Sequence, residues 1–193
     1  MSSVCTSTDC GPRCNGTTHD RVRWSGPVKP PVERTRRGFR INLDVEEREL
    51  IHRLLGELRT LLVDPEAEIG DARMRRLFPA AYHQDGDREL DAEYQRLMRD
   101  ELVTSRVKGI DALEELLAAA AQPNSGNPVL DEAQLAAFMQ AVNGVRLVLG
   151  TIIDIDEEHD VDSVPDDHPL VGEYHLYDFL SWVLDSAVRA MMR

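Results

Sequence analysis

Apolar residues recur at helical spacing in four long stretches of the chain, and the most continuous of them is residues 131–152. Its apolar side chains return at gaps of three and four, which is the period of one face of an α-helix. They are Leu135, Phe138, Val142, Val145, Leu149 and Ile152. Further apolar residues widen this face, so the helix needs neighbours on two sides and is predicted to be the centre of a bundle.

The other predicted helices are placed by the same periodicity and by signals at their ends. Asp44 followed by Glu47 has the form of a capping box, and Asp71 and Asp131 are placed to cap the helices that follow them. The remaining predicted helices span residues 44–63, 71–77, 88–121 and 173–192. Residues 71–77 are the one short helix of this set.

A small β-hairpin is predicted before the first helix, at residues 32–43. Phe39, Ile41 and Leu43 alternate with polar residues, as in a strand with one buried face. Gly38 fits the turn between the two strands. The predicted fold class is therefore all-α: a helical bundle of four main helices plus one short helix, with a small N-terminal β-hairpin.

The 193-residue length predicts one domain, residues 32–193, preceded by a tail. Residues 1–31 are rich in Ser, Thr, Gly and Pro, a composition that predicts a disordered tail. The sequence contains no run of about 18 apolar residues, so no transmembrane helix is predicted. The N-terminal residues also lack the apolar core of a secretory signal, so a cytoplasmic location is expected.

Charge is unevenly distributed along the chain, whose formal net charge is -13. Residues 1–43 contain eight Lys or Arg and three acids, a balance of +5, which leaves -18 for residues 44–193. An acidic body repels phosphate backbones, so DNA could be bound at most through the basic N-terminal region.

All three cysteines, Cys5, Cys10 and Cys14, lie within the first 14 residues. A flexible tail allows any two of them to meet, so a reversible disulfide is one interpretation. With His19 they also provide ligand types for zinc, although no Cys-x2-Cys knuckle is present. Inert tail thiols are the third interpretation. No metal or cofactor is assigned to the chain.

Polar residues beside the apolar face of the central helix form a second candidate group. Asn143 and Arg146 lie three residues apart there, and Asp178 or Asp185 on the last helix are candidate partners. Because buried polar groups are normally paired, a structural network is favoured over a binding site. Aromatic residues on the last helix, Trp182 among them, are expected in the core or at a homodimer interface.

Motifs of the common enzyme classes are missing from the sequence. It contains no glycine-rich phosphate loop, no Gly-x-Ser-x-Gly and no His-Glu-x-x-His. Residues 154–165 begin like a calcium loop, but His159 and Pro165 occupy the positions that require Gly and Glu. A protein that is not an enzyme is therefore predicted.

Several segments together resemble a known family, and the two most specific lie on the last two helices. These are Asn143-x-x-Arg146-Leu-x-Leu-Gly150-Thr and Tyr174-x-x-Tyr177-Asp-Phe-Leu. The others are at residues 35–38, 57–62, 75–82 and 100–102. Taken in order, they resemble the AosR family, whose name stands for actinomycete oxidative stress regulator, over roughly residues 33–193.

The resemblance implies a cytoplasmic, non-enzymatic regulator of transcription in oxidative stress that acts with a sigma factor through thiol oxidation. Cys5, Cys10 and Cys14 lie outside the matched segments, so the resemblance assigns them no role, and they remain a separate redox hypothesis. The alternative interpretation is an adaptor or scaffold whose helical bundle binds another protein while the tail is inert.

Overall fold

The structure is a computed structural model of the whole chain, and its description begins near the C-terminal end of the predicted tail. The described residues are 29–64, 71–80, 88–120, 126–155, 164–165 and 167–192. Of the predicted tail, residues 1–31, only the last three belong to this part.

The described residues include five helices and three short strands. The helices are α1 (Val45–Val63), α2 (Ala72–Leu77), α3 (Arg88–Ala120), α4 (Glu132–Ile152) and α5 (Val171–Met191). The predicted all-α fold with a small N-terminal β-hairpin is confirmed. Helix α5 begins two residues earlier than predicted, and no side chain caps its first turn.

The predicted helix caps are present as hydrogen bonds. Asp44 accepts from the backbone N–H of Glu47, and Glu47 accepts from the N–H of Asp44, both at 2.8 Å. Asp131 and Gln134 make the same reciprocal pair at the start of α4, at 2.8 and 2.9 Å. These caps satisfy backbone donors that a helix cannot pair internally, and they fix where α1 and α4 begin.

The sheet has one more strand than the predicted hairpin. β1 (Val32–Thr35), β2 (Gly38–Ile41) and β3 (Val129–Leu130) form an antiparallel sheet in the order β1-β2-β3. Gly38 has a φ of +129°, and a Cβ there would lie 2.3 Å from the carbonyl oxygen of Leu130. Strand β2 can therefore approach β3 only with glycine at this position.

Helix α4 is the centre of the bundle, as its apolar pattern predicts. It contacts all four other helices and also β2 and β3. At Gly144 a Cβ would lie 2.9 Å from Cδ2 of Leu58, so α1 packs closely against α4 at this point. Among the described helices, α4 is the one long and apolar enough to cross a membrane. Its contacts within the bundle account for that composition.

Candidate functional site

The two most specific sequence motifs meet where α4 packs against α5. Arg146 donates hydrogen bonds from Nε and Nη2 to Oδ1 of Asn143, at 3.4 and 3.3 Å. Its Nη1 donates to the hydroxyl of Tyr177 on α5 at 2.9 Å. The guanidinium carbon also lies 5.2 Å from the centroid of the Tyr177 ring. We call this group, with Gly150, the α4–α5 junction.

Gly150 makes room for the aromatic ring of the junction. A Cβ at this position would lie 3.2 Å from Cε2 of Tyr177, closer than an ordinary van der Waals contact. Asn143, Arg146 and Gly150 follow one another at gaps of three and four, so they share one face of α4. The spacing of Asn143, Arg146 and Gly150 in the α4 motif therefore forms the surface against which Tyr177 of the α5 motif packs.

The second tyrosine of the α5 motif holds the end of α4. Tyr174 is buried, and its hydroxyl donates to the carbonyl oxygen of Ile153 at 3.2 Å. The imidazole of His168 packs edge-on against the same ring, with 5.4 Å between centroids. Nδ1 of His168 accepts from the N–H of Leu170 at 3.2 Å. These contacts connect the end of α4 to the start of α5.

The acceptor that Arg146 reaches on α5 is a tyrosine hydroxyl rather than one of the candidate carboxylates. Asp178 is exposed on α5, one residue beyond Tyr177. Asp185 forms an exposed ion pair with Arg189 at 2.7 Å. Sequence reasoning missed Tyr177 as a partner, although it lies three residues from buried Tyr174, on the inward side of α5.

A polar cleft of about 380 Å³ lies next to the junction, between α2 and the end of α4. Arg75 and Arg76 line it from α2, and Thr151 and Asp154 from α4 and the residues after it. The hydroxyl of Thr151 donates to the backbone carbonyl of Leu147 at 2.9 Å, so it is engaged within its own helix. The cleft thus offers charged groups for contact, but no activated nucleophile among its described residues.

An apolar groove of about 190 Å³ lies between α1, α4 and α5. Its walls include Leu54 and Leu61 from α1, Val148 and Ile152 from α4, and Leu176 from α5. Ile152 is 54% exposed. A surface of this kind suits contact with another apolar group rather than acid–base chemistry.

A local ion pair orders the start of α2, and a hydrogen bond from Arg106 connects the end of α2 to α3. A hydrogen bond from the Arg73 side chain holds the pKa of Asp71 at about 2, and the same contact raises the pKa of Arg73. Arg106 of α3 donates to the carbonyl oxygen of Leu77 at 2.9 Å and lies 4.5 Å from the Phe78 ring centroid. Burial lowers the pKa of Arg106. Because arginine stays protonated at neutral pH, it remains a cation at the end of α2.

The three predicted redox residues, Cys5, Cys10 and Cys14, lie outside the described residues, and so does His19. The disulfide, zinc and inert interpretations of the tail therefore stay predictions. Among the described residues, no group of three or more His, Cys, Asp or Glu is arranged to hold a metal ion.

Comparison with known proteins identifies relatives over nearly the whole chain. The model of a family described as a domain of unknown function (DUF2017) matches residues 29–191. The oxidative stress regulators AosR of Mycobacterium tuberculosis and Mycobacterium bovis are each 28% identical to this chain. The match covers 95% of this chain and 97% of each relative. A protein of Mycobacterium leprae is 29% identical over the same shares.

No solved structure matches the chain. The resemblance to the AosR family, inferred from the motifs on α4 and α5, is confirmed by these relatives.

Proposed function

The chain belongs to the DUF2017 family, and we propose that it is an oxidative-stress regulator that acts through protein–protein contacts and without catalysis. The observation that carries this proposal is the similarity, over 95% of the chain, to proteins named oxidative stress regulators. We further propose that it works in the cytoplasm on transcription, with a sigma factor as its partner.

The α4–α5 junction supports a contact function rather than a reaction. The polar residues that make the family motifs recognisable donate and accept hydrogen bonds among themselves: Arg146 with Asn143, and Arg146 with Tyr177. A catalytic group would instead be directed at a substrate. The motifs therefore maintain the packing of α5 on the bundle, and we assign partner contact to exposed residues elsewhere on its surface.

The oxidant response is assigned to Cys5, Cys10 and Cys14. A thiolate of one attacks hydrogen peroxide, which cleaves the O–O bond and gives a sulfenic acid and water after protonation. A second thiol then displaces the sulfenic oxygen as a second water and forms a disulfide. Overall, two thiols are oxidised to one disulfide while one peroxide is reduced to two waters.

The contact between β1, which follows the tail in the chain, and α5 supports a link between the tail and the bundle. The N–H of Val32 donates to Oγ of Ser186 on α5 at 3.0 Å, and that hydroxyl donates to the carbonyl of Val32 at 3.1 Å. A partner that contacts both the tail and α5 would therefore sense the state of the thiols.

The first test is thiol mapping of the full chain by alkylation and mass spectrometry, with and without peroxide. The proposal expects a peroxide-dependent disulfide between two of Cys5, Cys10 and Cys14. Three fully alkylated thiols after peroxide treatment would refute the redox step.

The adaptor hypothesis, with an inert tail, is separated from the regulator by deletion of residues 1–28. Full partner binding and an unchanged response to oxidant in the deleted protein would favour the adaptor. Loss of the oxidant response with retained basal binding would favour the redox regulator.

A further inference from the structure

The β1–β2 hairpin presents four exposed arginines on a protein that is otherwise acidic. They are Arg34, Arg36, Arg37 and Arg40. No ion pair of theirs occurs within the described residues. Residues 29–40 contain five cations and one acid, a balance of +4, whereas residues 44–193 carry -18. The positive charge is thus concentrated on one small element.

The hairpin that carries these arginines is firmly held. Thr35 Oγ1 donates to the carbonyl of Gly38 at 2.8 Å and accepts from the N–H of Arg37 at 3.3 Å, which closes the turn. Val32, Phe39 and Ile41 are buried in the core. Because the backbone is already ordered, binding through the arginines requires little further loss of backbone conformational entropy.

Arg34 is further ordered by the sheet itself. Its guanidinium carbon lies 5.4 Å from the centroid of the Phe39 ring, and Arg34 pairs with Phe39 across the strands. Glu33, the one acid of the hairpin, accepts a hydrogen bond from the Asn42 side chain at 3.3 Å. Glu33 lies opposite Arg40 in the strand pairing but forms no ion pair with it in the described structure, so the cationic groups remain available to a ligand.

Arginine presents a planar fork of donors that pairs in two-fold fashion with carboxylates and phosphates. A nucleic-acid duplex is a long polyanion and would extend over the acidic body, which repels it. A short acidic segment of a protein needs to contact only the hairpin. The charge distribution therefore favours carboxylates as the ligands.

We propose that the turn residues Arg36 and Arg37, with Arg34 and Arg40 on opposite faces of the strands beside them, form a docking site for an Asp- and Glu-rich segment of a partner protein. The proposal rests on the proposed function in one respect: it names the kind of surface through which such a regulator engages its partner. It does not depend on thiol oxidation.

The test uses the full chain and a short fluorescein-labelled peptide of alternating Glu and Gly, read by fluorescence anisotropy at low salt. The variant Arg36→Glu/Arg37→Glu reverses two turn arginines whose side chains make no hydrogen bond or ion pair in the described structure. The matched control is Arg53→Glu/Lys108→Glu on α1 and α3, two exposed cations outside the hairpin and outside the polar cleft, with the same change in net charge. Circular dichroism verifies that each variant is folded.

We expect the hairpin variant to bind the Glu peptide about tenfold more weakly than the unchanged protein, and the control to stay within about twofold. Binding should also weaken as salt is raised, because these charges are exposed. A peptide with Gln in place of Glu should not bind.

Three results would overturn the proposal. They are no binding of the Glu peptide by the unchanged protein, an equal loss in both variants, and preferential binding of a labelled DNA duplex that depends on Arg36 and Arg37. The assay contains no oxidant and no regulatory partner. Its failure would therefore leave the thiol mapping unaffected, and failure of the thiol mapping would leave this assay unaffected.

Discussion

Replacement of Arg146 by alanine removes the central side chain of the α4–α5 junction. The guanidinium donates to Tyr177 at 2.9 Å and, through two longer bonds, to Asn143 at 3.3 and 3.4 Å. It also lies near the Tyr177 ring. If these contacts hold α5 on α4, the substitution should lower the free energy of unfolding. The decrease in the free energy of unfolding should be larger than that caused by removing an exposed arginine.

The size of the effect follows from the geometry. A hydrogen bond that involves a charged group contributes about 1.5–3 kcal/mol, and partial exposure places the Tyr177 bond near the lower end. The cation–π contact adds about 0.5–1 kcal/mol at a partly exposed site. The two longer bonds to Asn143 add little. We therefore expect Arg146→Ala to cost about 2 kcal/mol and Tyr177→Phe, which keeps the ring, about 1 kcal/mol.

Urea unfolding followed by circular dichroism measures both variants and the double variant. Because the two side chains are in contact, the double-mutant cycle should give a coupling of about 1 kcal/mol. The control is Arg189→Ala, whose ion pair with Asp185 is exposed and should contribute under about 0.5 kcal/mol. A coupling indistinguishable from zero, or equal losses for Arg146→Ala and the control, would refute the structural role of the junction.

Three further predictions test the sheet and the charges around it. Gly38→Ala should destabilise the protein by more than about 2 kcal/mol in urea unfolding, because a Cβ would meet a carbonyl of β3; Gly172→Ala, with open space around it, should not. Ser186→Ala should cost about 1–2 kcal/mol and speed hydrogen exchange at the Val32 amide, which loses its buried acceptor; unchanged exchange would count against that bond. The pKa of Asp71 is lowered to about 2 in the folded protein. The contribution of Asp71 to the stability of the folded protein should therefore be complete above its unfolded pKa of about 3.9, and it should disappear as the pH falls through about 2. An NMR titration midpoint near the unfolded value would contradict this.

Helix α4 could be predicted from the sequence because its apolar residues repeat with the helical period over about six turns. Its start could also be predicted, since Asp131 and Gln134 form a local capping box. Strand β3 could not, because Val129 and Leu130 are too few to show an alternation. The start of α5 was placed two residues late because Leu170, its first flanking residue, provides no side-chain cap.

Some features of the candidate functional surfaces could be predicted from the sequence, and others could not. The arginines of the hairpin are visible in the sequence as a charge cluster. Their fixed position depends on Ser186, which lies 154 residues from Val32 in the chain, and no local pattern reports such a contact. The pairing of Arg146 with Tyr177 was missed because salt-bridge reasoning favours an acidic partner, and Asp178 stands next to the tyrosine.

The most direct test of the proposed function is the dissociation constant between this chain and the sigma factor of its own organism, measured with reduced and with peroxide-oxidised protein. The unchanged protein should show a difference of about fivefold or more between the two states. The Cys5→Ser/Cys10→Ser/Cys14→Ser variant should show none. An equal response of the variant and the unchanged protein to peroxide, or no binding in either state, would contradict the proposal.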